Sequence, residues 1–518
     1  MDKWRILVYV FAVAYAVVLS YNLSNMAMQW DEVTHFTGGL LLTRGDLWEY
    51  FMTSSFYPPV FNVVTAGYFV VAGATVFAAR LVALTFAALS IVAVYELANR
   101  MYDSKTALLS ALLFAVMPGV VWLSRIALIE TMLIFVFTVC MLFFFMWIET
   151  NRERYLNISI ACLSIGVAVK YQTLVVAPIV LIAGMLIFGK RNYLKTQILR
   201  VFKFPRVIAT AALSAVCGFV VYELYVQGPL GLMFFAIQTG TAERAVSSLR
   251  YPAPVFYLIE TCWNSSNLHP VSLLLYGASI AGVLLFLFRR KTSDKFLLLW
   301  FAAVYGVFSF IPNKEWRYIV LLFPVLAVSA SSLIVSAGDK LRKMWQSQKT
   351  SGRRNLAKLG AVVLIAFTAS GVLLSCSDAS AWLGTAPAAL PVEKAAAFAG
   401  QTLAFNQSIA VACPTNLLND YMVWFGLISQ SPSDSKVWQY PALASDAYTI
   451  SFNTTEFIAL CHKTNTKYVF LYEYNDNHYF NSTLTQHDIL AALNATNRFT
   501  VAETFGTEPN RIFVLSFT

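Results

Sequence analysis

The sequence predicts a polytopic α-helical membrane protein of about eleven spans plus a juxtamembrane or re-entrant segment, with a small C-terminal extracytoplasmic α/β domain. Three observations carry this. Of 518 residues, 58% are hydrophobic and only 12% are charged, far from the usage of soluble domains. Apolar runs long enough to cross, or nearly cross, about 30 Å of hydrocarbon recur through the first 376 residues. Charge is also divided, with 31 basic and 16 acidic groups in residues 1–376 against 6 and 11 in residues 377–518. The basic excess therefore belongs to membrane-flanking loops, where Lys and Arg gather on the cytoplasmic side, and no nucleic-acid motif accompanies it. The predicted division is a transmembrane domain over 1–376, with a first outer loop at 24–76, and a soluble domain over 377–518.

The first apolar run follows Lys3 and Arg5 and lacks a small-residue cleavage site, which reads as a retained signal anchor. Further spans start near Phe77, Ala107, Ala127, Leu156, Thr173, Val207, Val271, Phe296, Tyr318 and Leu359. The run Val60 to Ala74 follows Pro58-Pro59, contains Asn62, Gly67 and Gly73, and would reach only about 22 Å at the helical rise. Loop charge decides its treatment. If it does not cross and the N-terminus is cytoplasmic, 23 basic residues fall on the cytoplasmic side. The other side of the membrane domain then holds only Arg44, Arg80, Arg125, Lys170, Arg244, Arg250, Lys314 and Arg317. Counting the run as a span would invert every later loop, against the positive-inside bias. The tightest element is the hairpin Leu156 to Phe188, which must turn at Lys170-Tyr171-Gln172. The expected location is the plasma membrane, multi-pass, with the N-terminus inside.

The same parity puts the tail outside, where N-x-S/T sequons at Asn406, Asn453, Asn481 and Asn494 agree with it. Short β-branched or aromatic runs (Ile409 to Ala412, Tyr468 to Tyr472, Arg511 to Leu515) alternate with helix-like stretches such as Leu417 to Ile428, which fits a small α/β domain. The seven cysteines show no CxxC spacing; Cys413 and Cys461 could pair in an extracytoplasmic tail, with connectivity left open.

Immediately after the first span lie two adjacent carboxylates, in Trp30-Asp31-Glu32-Val33-Thr34-His35. Charge beside lipid is costly and usually marks a substrate, ion or proton site. On the predicted topology Asp31, Glu32, His35, Tyr57, Arg125, Glu130, Lys170, Lys314 and Arg317 all fall near the outer ends of spans. Groups of both signs gathered at one face suggest a polar cavity opening outward. An anionic lipid-linked phosphate needs cations, and an acceptor hydroxyl needs a carboxylate to take its proton. Asp31 is the candidate base or acceptor-orienting group, with Glu32 in support. Blander readings stand beside these: an interfacial Arg125–Glu130 ion pair, a snorkelling Lys170, an aromatic belt at Trp316 and Tyr318, and a rigid entry at Tyr57-Pro58-Pro59. The acids could also bind a divalent metal, although their spacing does not require one.

The Asp-Glu pair after span one, Tyr57-Pro58-Pro59, Gly73 followed by Arg80, Arg125-x4-Glu130 and the element from Lys314 to Pro324 resemble the protein O-mannosyltransferase and lipid A aminoarabinose transferase superfamily of GT-C glycosyltransferases. The likeness spans roughly residues 1 to 330. It implies a GT-C fold and a polyprenyl- or dolichyl-phosphate sugar as donor. It also implies an acceptor that is protein, lipid or glycan, and an essential acid in the first outer loop. By position the essential acid falls on Asp31, a second acidic site on Glu130, and the candidate phosphate-contacting cations on Arg125, Lys170 and Arg317. From their place at the outer face, Lys314 is a further candidate donor-phosphate contact, and His35 and Tyr57 are candidate substrate contacts. Many members have Asp where this chain has Glu130, and Lys or His where it has Tyr57. Two alternatives are kept. An oligosaccharyltransferase-like enzyme would carry an Asp-x-Asp element and a WWDYG-type tail sequence, neither of which is found. A secondary transporter would show repeated halves and midplane charges.

Overall fold

The computed structural model describes residues 3–54, 57–193, 195–196, 251–264, 266–347, 351–385, 389–404, 406–413, 418–430, 436–440, 452–473, 486–508 and 510–518. In chain order the helices are α1 (Lys3–Ser20), α2 (Trp30–Arg44), α3 (Leu47–Thr53), α4 (Val60–Ala72), α5 (Val76–Met101), α6 (Ser104–Ala115), α7 (Pro118–Ser124), α8 (Glu130–Thr150), α9 (Glu153–Val169) and α10 (Thr173–Ile187). Then come α11 (Ala253–Glu260), α12 (Leu273–Arg289), α13 (Thr292–Phe310), a 3-10 turn (Trp316–Leu322), α14 (Phe323–Ser347) and α15 (Ser351–Thr385). The tail runs α16 (Val392–Thr402), β1 (Ser408–Ala412), α17 (Asp420–Gln430), β2 (Lys436–Tyr440), α18 (Thr454–Lys463), β3 (Thr466–Glu473), α19 (Gln486–Ala495), β4 (Phe499–Thr507) and β5 (Asn510–Phe517).

A helix includes or begins within three residues of each predicted span start, with the 3-10 turn at Tyr318, except at Val207, which lies outside the described residues. Among the described residues six helices are long and apolar enough to cross a bilayer, or seven if the bent pair α6–α7 is one span. These apolar helices make the chain a multi-pass membrane protein. The bend between α6 and α7 is 64°. It falls at Met117-Pro118, where proline has no backbone N–H to give and its ring obstructs the preceding turn. The run Val60 to Ala74 forms a helix of 13 residues.

The chain divides into two compact units: Met1–Tyr21, Leu47–Val63 and Arg80–Thr385 in one, and Asn22–Asp46, Val64–Ala79 and Ala386–Thr518 in the other. The first unit is a helical bundle. Its closest crossing pairs α12 with α14 at Gly282, where an added Cβ would stand 2.2 Å from the Ser329 carbonyl oxygen. Small residues permit that approach, and Ser329 Oγ donates across it to the Ser279 carbonyl at 2.9 Å. At the α12–α13 turn Arg289 forks onto Asp294 at 2.8 and 2.6 Å, and Tyr102 from the end of α5 donates to the same carboxylate at 2.7 Å. Arg289 also reaches Ser332 on α14 at 2.8 Å. One fully buried carboxylate thus ties the ends of α5, α12 and α13 together, and Arg289 links them to the side of α14.

The second unit contains a five-stranded sheet of order β2-β1-β3-β5-β4. Strands β2, β1 and β3 are parallel, while β3, β5 and β4 pair antiparallel. The three strand runs expected from the sequence are β1, β3 and β5. Cys461 is in no disulfide, so its pairing with Cys413 considered above does not form. Cys461 is buried in α18, and burial pushes its thiol up to about 12.

Candidate functional site

The acid pair lies in the second unit, in the first turn of helix α2. Gln29 precedes the helix, and Glu32 reaches back to accept the Gln29 backbone N–H at 2.9 Å while the Gln29 side chain takes the amide of the third helical residue. This reciprocal cap satisfies donors that a helix start otherwise leaves open. Glu32 is fully buried by it, and Asp31 is left half-buried one position earlier. His35 follows Asp31 by one turn and is buried. The helix ends at Gly45, whose φ of 79° is the left-handed cap conformation that glycine adopts without cost.

The cations lie in the first unit. Glu130 opens α8, and its Oε1 accepts from Lys170 Nζ at 2.9 Å. The two side chains are 4% and 13% exposed, so this is a buried ion pair. Glu130 Oε2 has no hydrogen-bond partner among the described residues. Lys170 occupies the turn between α9 and α10, in extended backbone where α9 can no longer continue, and its ammonium lies 5.5 Å from the Tyr318 ring centroid. Asn313 Nδ2 donates to the Tyr318 hydroxyl at 3.1 Å and fixes that ring. Arg317, one residue earlier, is within electrostatic reach of Glu130 and forks onto Glu315 at 2.5 and 3.0 Å. Three segments distant in sequence therefore bring Glu130, Lys170, Arg317, Glu315 and Tyr318 into one cluster.

Two of the predicted phosphate contacts are engaged differently. Lys314 is buried, and its ammonium donates to the Phe308, Ser309 and Ile311 carbonyls at 3.1, 2.8 and 2.8 Å. It caps the open carbonyl end of α13, and burial holds it below lysine's ordinary value. Arg125 closes α7 and gives Nη1 to the carbonyls of Leu19 and Tyr21 at 2.6 and 2.9 Å, capping α1. Burial, and then repulsion from Arg80, draw it below arginine's usual value. Tyr57 is half-buried just ahead of Pro58-Pro59 and α4. Among the described residues no group of three or more His, Cys, Asp or Glu is arranged to hold a metal ion.

Sequence reasoning missed Glu315 as the partner of Arg317, although its place two residues away in an extended turn was a usable signal. It also missed what α2 packs against in the tail. Phe36 of α2 and Phe69 of α4 both meet Phe425 of α17, at centroid distances of 5.2 and 6.3 Å, and Arg44 Nη2 donates to the Ile428 carbonyl.

Residues 57–226 match the family model of dolichyl-phosphate-mannose-protein mannosyltransferases. No curated protein sequence matches the chain. Among solved structures, apo ArnT from Cupriavidus metallidurans superposes with a TM-score of 0.65 at 14% identity, over 98% of this chain and 97% of that one. ArnT from the same organism bound to undecaprenyl phosphate gives 0.55 at 14% identity with the same coverage. The apo oligosaccharyltransferase of Archaeoglobus fulgidus gives 0.57 at 13% identity, over 91% of this chain and 70% of that one. The likeness to GT-C glycosyltransferases is borne out, and the fold is theirs.

Proposed function

We propose that this protein transfers a mannose-like hexose or a pentose from a polyprenyl-phosphate carrier to a protein, lipid or glycan acceptor on the extracytoplasmic side of the cell membrane. The observation that carries the reading is the cluster of Lys170 and Arg317 about the buried Glu130, in a fold that in ArnT is seen with undecaprenyl phosphate bound. Lys170 and Arg317 hold the donor phosphate. Arg125 and Lys314, which donate to backbone carbonyls at helix ends, add positive potential to it.

The acceptor oxygen bonds to the anomeric carbon as the bond from that carbon to the phosphate oxygen breaks. The electron pair leaves with the phosphate, and the acceptor's proton passes to the Asp31 carboxylate. The carrier gains a negative charge in this step, so fixed cations stabilise the transition state more than the ground state. Glu32, tied into the helix cap, sets the start of α2 and with it the direction of Asp31. Glu130 keeps Lys170 oriented, while His35 and Tyr57 border the substrate.

The test is transfer from a synthetic polyprenyl-phosphate sugar in proteoliposomes. Asp31→Asn should cut transfer to a small residual rate with membrane insertion intact, and Lys170→Met should raise the donor KM; full activity in Asp31→Asn removes the base. The transporter alternative expects solute flux that survives loss of Asp31.

A further inference from the structure

The tail domain has no assigned task, yet it grips the helix that bears the acid pair. Helix α2 lies on α4 so closely that a Cβ at Gly39 would be 2.7 Å from Thr65 Cγ2. Phe36, on the buried face, meets Phe425 of α17, and both side chains are fully buried. At the far end of α2, Arg44 donates to the Ile428 carbonyl in the last turn of α17, where a cation also complements the helix dipole. Ahead of α2, the Ala389 amide donates to the Asn25 carbonyl at 2.8 Å.

Helix α17 is itself anchored in the sheet. Asn419 caps it by accepting the Met422 amide at 2.9 Å. Gln439 of β2 accepts the Asp420 amide at 3.0 Å and donates to the Cys413 carbonyl beyond β1. The rigid sheet therefore sets α17, and α17 sets α2.

We infer that the C-terminal α/β domain is a positioning element for the catalytic acid, acting through Phe425 of α17 and through Phe36 and Arg44 of α2. The inference rests on the reading of Asp31 as the base. Asp31 and Arg44 are at opposite ends of α2, about 20 Å apart at the helical rise. A tilt of about 3° at the Arg44 end moves Asp31 by about 1 Å, and a displacement of that size costs on the order of a hundredfold in rate. Phe36, Phe425 and Arg44 are positioning residues, since they act through Asp31.

The experiment measures kcat and donor KM for Arg44→Met, Arg44→Lys and Phe425→Leu, each alone and in the Asp31→Asn background, alongside thermal melting. Arg44→Met and Phe425→Leu should lower kcat on the order of tenfold or more with donor KM held within about twofold, as for a misplaced group. Arg44→Lys should recover much of the loss, because its ammonium can donate to the same carbonyl. In Asp31→Asn, neither substitution should reduce the residual rate further. Should Arg44→Met fail to fold, Phe425→Leu reads the same coupling. Unchanged kcat in both variants, or losses that multiply with that of Asp31→Asn, overturns the positioning role and leaves the transferase reading standing. Full activity in Asp31→Asn alone overturns both.

Discussion

Replacing Lys170 with Met separates the two jobs assigned to the buried pair. Lys170 Nζ stands 2.9 Å from Glu130 Oε1, and the side chains are 13% and 4% exposed. At an effective dielectric of about 20, unit charges at that separation attract by about 6 kcal/mol, and the lost hydration of both groups offsets most of it. Removing one member leaves the other's charge without its closest partner, at a cost of up to about 3–5 kcal/mol. Lys170→Met strands the more deeply buried Glu130 and is expected to be the more damaging single change. Glu130→Gln strands an ammonium that keeps the Tyr318 ring at 5.5 Å, and should cost less. The double variant leaves no charge stranded and should recover much of the stability, with a coupling energy above about 1 kcal/mol in a double-mutant cycle. Thermal unfolding of detergent-purified protein measures the four corners, and transfer assays measure donor KM in the same preparations. Donor KM should rise in Lys170→Met and stay raised in the double variant, because the phosphate contact is absent from both. Additive stabilities within about 0.5 kcal/mol, or a normal donor KM without Lys170, would refute the reasoning.

Three further outcomes follow from other parts of the molecule. Gly282→Leu puts side-chain atoms where the Ser329 carbonyl lies 2.2 Å from a bare Cβ, and should lower thermal stability by at least the 1–3 kcal/mol of an overpacked site, read as reduced melting temperature and yield. Asp294→Asn breaks a buried carboxylate that serves both Arg289 and Tyr102, and should destabilise by about 3–5 kcal/mol in thermal melts. In the tail, the Arg511 guanidinium holds the Glu473 carboxyl below the usual carboxylate range. Its contribution is therefore present above about pH 4.5 and is lost as pH falls through the lowered folded-state value. Acid unfolding of the full chain, followed at the tail by trypsin sensitivity, should begin at higher pH in Arg511→Met; an unchanged onset would contradict this.

The sequence exposed the spans most clearly, because lipid demands long apolar runs and leaves charge only at their ends. Even the short hairpin was legible: α9 and α10 turn at Lys170-Tyr171-Gln172 as expected. Local signals were weaker where satisfaction is reciprocal. The acid pair reads as a loop after span one, yet it begins a helix, since the cap uses Gln29 in place of the usual Ser or Thr. Strands β2 and β4 lie at the two sheet edges and carry polar residues such as Lys436, Gln439 and Glu503, so they lack the apolar runs that disclosed β1, β3 and β5. Lys314 and Lys170 look alike in sequence. Only the fold turns one toward three backbone carbonyls and the other toward a carboxylate. The grip of Phe425 on Phe36 joins residues nearly 400 positions apart, and no periodicity reports such a contact.

Mass spectrometry of lipids that copurify with the wild-type protein and with Asp31→Asn tests donor class and base together. The account expects a prenyl-phosphate sugar retained intact in Asp31→Asn, where it is bound and not consumed, and the sugar-free prenyl phosphate in the wild type. Preparations of both proteins that carry only bulk phospholipid, while the wild type remains active in transfer, would contradict it.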